Sequence, residues 1–232
     1  GKNVLVIDTK PERVVEDSLF KEAQAIAEMA RAKSVKRITI VGSSEGGIKA
    51  ANLAAILQTQ IQEVAIGGLI LIGPLGLYRQ RPSDIYRGFF VNAFQGATQL
   101  ASPSDSNPGH IGQGLRAGTG VLFDIFGEVA RRRTHYPKRL LSQIREMASI
   151  NTHLAELQMP IILIQGSDDT VSNPKKTLVG NYGSGQRQDL VSANIFPQSP
   201  YVRRVTIEGS SHSLPFFSPG QVATISLSSL GE

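Results

Sequence analysis

Ile38-Thr39-Ile40-Val41-Gly42-Ser43-Ser44-Glu45-Gly46-Gly47 runs from an apolar segment into a glycine-bearing turn. Ile38 to Val41 is rich in β-branched residues and reads as a buried strand. After the turn, Ile48 to Leu57 is rich in Ala and Leu and spaced as a helix. Gly42 to Gly46 is therefore a G-x-S-x-G sequence at a strand-to-helix turn. Residues without side chains beside the central Ser44 let strand and helix approach closely, and the strained turn leaves the hydroxyl exposed. It would stand at the top of a sheet near the positive end of the following helix, where an oxyanion is stabilised. The same residues also suit a turn that only connects strand to helix, and the pentapeptide alone does not separate the two. A phosphate loop is disfavoured, since neither G-x-x-x-x-G-K-[ST] nor G-x-G-x-x-G occurs.

Outward from that turn, the chain alternates strands and helices. Val4 to Asp8 reads as a strand ending in a carboxylate, and Pro11 opens a helix whose buried stripe is Val15, Leu19, Ala23, Ile26 and Met29. Leu69 to Ile72 is a third strand, stopped by Gly73-Pro74. Strand, helix, strand, helix, strand predicts an α/β fold, a mostly parallel sheet flanked by helices. From Leu75 to about Gln158 no buried strand is evident, while Ser83 to Phe90 and Pro137 to Met147 have helical spacing. The stretch is too long for one crossover and reads as a helical insertion over the sheet. Strand character returns at Pro160 to Gln165 and again at Val202 to Ile207, and Pro219 to Leu227 is spaced as a closing helix. The expected organisation is a core of residues 1–74 and 159–232 with a helical lid of residues 75–158.

Composition fits an ordinary globular domain: 232 residues, 41% hydrophobic and 19% charged. No cysteine is present, which removes disulfides and thiolate chemistry and leaves the compartment open. No apolar run reaches the roughly 18 residues of a membrane span. The net charge of +5 raises nucleic acid or an anionic surface as a partner. The densest basic cluster, Arg131-Arg132-Arg133, lacks interleaved aromatics and reads as a solvated helix face. The expectation is a small-molecule partner, with no nucleic acid and no stable membrane insertion.

With the strands placed, the chain resembles the α/β-hydrolase family from the Ser44 turn to the C-terminus. Gly42 to Gly47 is similar to its nucleophile elbow, and Met159 to Val171 to its acid strand, where an apolar run ends in G-x-x-D. Glu208 to His212 is similar to its histidine loop, and Pro219 precedes the last helix as in the family. The resemblance implies a serine hydrolase with Ser44 as nucleophile, His212 as general acid–base and Asp169 as its carboxylate. Gly166 plus three selects Asp169 over Asp168, which is expected to cap the turn instead. The backbone N–H of Glu45 is the implied oxyanion donor, and no cofactor or metal is expected. The insertion occupies the family's lid position, so Phe89, Phe90, Phe123 and Phe126 are candidate pocket residues. His110, His135 and His153 lack metal-ligand spacing and read as packing or surface residues.

The family has several strands before its nucleophile strand, and here only Val4 to Asp8 precedes it. The expectation is that the native chain starts earlier and that the second oxyanion donor is not among Thr9, Lys10 and Pro11. Two further functions stay open: a catalytically weak member of the fold that binds a small apolar ligand, and an aminopeptidase-type acyl hydrolase.

Overall fold

The computed structural model describes residues 16–75, 87, 88, 91, 92, 151–172, 195–212 and 218–228. Within them, helix α1 (Glu16–Ala32) leads to strand β1 (Arg37–Ser43), helix α2 (Glu45–Ile56) and strand β2 (Ala65–Ile72). Strands β3 (Ile161–Gly166) and β4 (Val202–Ile207) and helix α3 (Pro219–Ser228) complete the order. All three strand pairings are parallel and run in sequence order, β1-β2-β3-β4. Ser43 is level with Ile72, Ile72 with Ile164, and Gly166 with Ile207. The C-terminal ends of the strands are thus aligned, and the chain leaves each one on the same edge of the sheet.

Alternation along the strands sorts the core into two faces. Leu69, Leu71, Ile161 and Leu163 pack with Ile48, Ala51 and Ala55 of α2. On the other face, Ile70, Ile72, Ile162, Ile164 and Ile207 meet Val222 of α3. Strands buried on both sides need continuous apolar runs, which is what β2 and β3 carry. Helix α1 packs beside α2 through Leu19, Ala23, Ile26, Ala27 and Ala30, and Lys49 Nζ donates to Glu22 Oε1 at 2.9 Å across the pair.

The sequence expectations for these elements need three corrections. Met29 is 37% exposed rather than on the buried stripe. At about 100° per residue it lies roughly a quarter turn off the line through Leu19, Ala23, Ile26 and Ala30. Strand β1 is half-buried instead of buried, with Val41 53% exposed, because it is the outer strand of the described sheet. Helix α2 does not stop at Leu57 but continues as a π-helical turn over Leu57–Ile61. That turn closes where Gln62, in the left-handed region, donates its N–H to Leu57 O. Leu154 and Leu157 are buried in the core against α2. They sit on and just after a 3-10 turn (Asn151–Glu156), whose apolar side reaches the sheet layer.

The Val4 to Asp8 strand, the helices at 83–90 and 137–147, and Arg131 to Arg133 fall wholly or mainly outside the described residues. Among the described residues no helix is long and apolar enough to cross a membrane.

Candidate active site

Ser44 sits between β1 and α2 with φ 53° and ψ −123°, a conformation that side-chain-bearing residues rarely adopt. The surroundings hold it there. Its N–H donates to Ile72 O at 2.9 Å, while its carbonyl accepts from Gly47 N at 3.0 Å and Leu75 N at 2.9 Å. A Cβ at Gly42 would lie 2.4 Å from Gly46 O, and one at Gly47 would lie 2.7 Å from Pro74 Cβ. A Cβ at Gly46 would meet nothing within 4 Å. The close approach of helix to strand therefore rests on Gly42 and Gly47, and the second glycine of the pentapeptide is not demanded by space. Ser43 is exposed and Ser44 half-buried.

The β3 and β4 ends bring two more groups to this edge. Ser44 Oγ lies 2.8 Å from His212 Nε2, and His212 Nδ1 lies 2.9 Å from Asp169 Oδ2. The three residues follow the ends of β1, β3 and β4, so strand alignment places them on one edge of the sheet and the loops after the strands bring their side chains together. His212 is 9% exposed and Asp169 3%, whereas Asp168 is exposed. Asp168 Oδ1 accepts from Ser167 Oγ at 3.2 Å. The turn-capping expected of Asp168 belongs to Asp169, whose Oδ1 accepts from Val171 N at 2.9 Å and Ser172 N at 2.8 Å. Ser172 Oγ donates to Asp169 Oδ2 at 2.5 Å, the same oxygen that faces His212.

Burial pushes the Asp169 carboxyl up, but the hydrogen bond and charge of His212, with the two Ser172 donors, outweigh it and hold it below the usual carboxylate range. A buried carboxylate with its lone pairs occupied in this way stays ionised near neutrality. It then favours the imidazole tautomer with the proton on Nδ1, in which Nε2 accepts from Ser44.

Three neighbours of this arrangement were not anticipated from sequence. Gly73 has φ 49°, and a Cβ there would come within 3.3 Å of both Asp169 Oδ2 and His212 Nδ1. Ser172 stands three residues after Asp169, the spacing of a side chain that closes back on its own turn, so a local signal existed. Asn92 accepts the His212 backbone N–H at 2.9 Å, and nothing in the sequence pointed to it. Glu45 is the first residue of α2, directly after Ser44. Phe89, Phe90, Phe123, Phe126, Thr9, Lys10 and Pro11 lie outside the described residues, as do His110 and His135.

No protein-family profile matches the chain, and no curated protein matches it in sequence. Solved structures do resemble it in shape. A bromoperoxidase from Bacillus anthracis is 16% identical, with 90% of this chain covering 73% of that one at a TM-score of 0.52. A membrane phospholipase A described as a bacterial virulence factor is 19% identical, with 97% of this chain covering 66% of that one, also at 0.52. MGS-MChE2, an alpha/beta hydrolase enzyme from a sediment metagenome of the Mar Chica lagoon, is 13% identical over 90% of this chain and 68% of that one, at 0.49. The chain has the α/β-hydrolase fold. In this fold the residues after parallel strands gather at the carboxyl edge of the sheet, which is where Ser44, Asp169 and His212 meet.

Proposed function

We propose that this protein is a serine hydrolase that cleaves a carboxylic ester or a related acyl substrate through an acyl-Ser44 intermediate. One observation carries the proposal: the continuous line of hydrogen bonds from Ser44 Oγ through His212 to Asp169, at 2.8 and 2.9 Å. The likeness to solved structures supports the fold, and the reaction rests on these side chains.

His212 Nε2 takes the Ser44 proton as Oγ attacks the acyl carbon. Asp169 holds the ring in place and stabilises the imidazolium that forms. The tetrahedral oxyanion lies near the N-terminus of α2, with the Glu45 N–H as its proposed donor. Collapse of that intermediate breaks the bond to the leaving group, which receives the proton from His212. Water, deprotonated by the same nitrogen, then attacks acyl-Ser44, and the acid product leaves as Ser44 regains its proton. No cofactor enters this scheme. Residues between β2 and the 3-10 turn are proposed to cover the substrate, with Phe89, Phe90, Phe123 and Phe126 as candidate pocket walls.

An alkyl fluorophosphonate tests the nucleophile directly. Wild-type protein is expected to be labelled at Ser44, and Ser44→Ala to lose labelling while keeping its melting temperature. Labelling that persists in Ser44→Ala, or that maps to Ser210, overturns the assignment. A series of chromogenic esters of increasing acyl length then defines the acyl preference.

A further inference from the structure

The His212 backbone N–H is buried, and a buried donor needs an acceptor. That acceptor is the side chain of Asn92, 120 residues earlier in the chain. Asn92 is itself 8% exposed, so the contact is made in the interior. A second contact from the same segment reaches the neighbouring loop: Thr170 Oγ1 donates to Gly88 O at 3.0 Å. The approach is close enough that a Cβ at Gly88 would lie 2.3 Å from Thr170 O and 2.8 Å from Val171 Cα. Residues 88 and 92 both have helical backbone. One residue of that pair touches the loop that carries Asp169, and the other touches the loop that carries His212.

We infer that Asn92 is a positioning residue for His212, and that Gly88 and Asn92 together clamp the acid and histidine loops of the site. The inference rests on Ser44, His212 and Asp169 acting as proposed above. The imidazole must bridge two partners at 2.8 and 2.9 Å. Hydrogen bonds weaken steeply with misalignment, so a small drift of the His212 backbone breaks at least one of them. Asn92 supplies an anchor for His212 from a segment 120 residues earlier in the chain.

The test compares two nearly isosteric changes in the full chain, Asn92→Leu, which removes the acceptor, and Asn92→Asp, which keeps an oxygen in place. Labelling by an alkyl fluorophosphonate is followed to saturation, separating the limiting rate from the probe's half-saturating concentration. Leaving a buried donor unpaired is expected to lower the limiting rate of Asn92→Leu about ten-fold or more, with the half-saturating concentration unchanged. Asn92→Asp should recover the rate to within about threefold of wild type. A residue with only a packing role would change the melting temperature of both variants alike and leave the limiting rate alone. A folded Asn92→Leu that reacts at the wild-type rate overturns the inference. If Asn92→Leu fails to fold, the Asp variant decides, since a limiting rate reduced ten-fold there contradicts a role for the acceptor oxygen. Failure of the wild type to label, or labelling of Ser44→Ala, is a different result: it removes the proposed reaction and the inference with it.

Discussion

Asp169 takes two backbone N–H groups on Oδ1 and a hydroxyl and an imidazole on Oδ2. Its position is therefore set by its own turn before His212 is considered, which makes the carboxylate a fixed reference for the ring. Gly73 lies against this pair, and its bare Cα matters twice. The left-handed backbone at φ 49° disfavours any side chain, and the nearest atoms to an added Cβ are the two that share the Asp169–His212 hydrogen bond. Gly73→Ala is expected to cost about 1–2 kcal/mol from the backbone conformation. It should also slow fluorophosphonate labelling by crowding the ring. Thermal melts and labelling rates check both. A variant as stable and as reactive as wild type would show that neither contact is tight.

The Ser44 turn works because an element on each side of it is locked to a third. Ser44, directly after β1, is tied to β2 through its N–H and Ile72 O, and α2 rests its first turn on Pro74. The two glycines after Ser44 then have opposite roles. Gly47→Ala places a methyl against Pro74 and is expected to destabilise by about 1–3 kcal/mol, the usual cost of overpacking. Gly46→Ala enters open space on a helix and is expected to be neutral or to stabilise by about 0.5–1 kcal/mol. Denaturant unfolding of the two variants side by side is the measurement. Equal effects would mean that the turn responds to glycine loss in general and not to the Pro74 contact.

Across the whole molecule, the same carboxylate links the site to acid stability. The Asp169 carboxyl is held below its ordinary value in the folded chain, so its contribution is fully present above the unfolded pKa of about 3.9 and is lost as pH falls through the lower folded value. Asp169→Asn removes the charge at every pH. The melting temperature of wild type should exceed that of Asp169→Asn near neutrality, with the gap closing below about pH 4. A gap that stays constant through that range would mean that the carboxylate is not stabilised by folding.

Much of this was legible in the chain because it depends on local chemistry. Apolar runs of β-branched residues marked β2 and β3, Ala and Leu spacing marked α2, and each of Ser44, Asp169 and His212 followed its own strand closely. A parallel sheet aligns strand ends, so knowing the strands was enough to expect those three residues on one edge. Burial was less legible. Val41 and Met29 are exposed because of where the sheet edge and the helix stripe fall, which is a matter of neighbours and not of the residues themselves. Packing alone made Gly47 and not Gly46 the tight position, since both are the same residue in the same turn. Asn92 shows the limit most clearly. Its partner is a backbone N–H 120 residues away, and a single side chain meeting a main-chain group leaves no periodicity, spacing or composition to mark it.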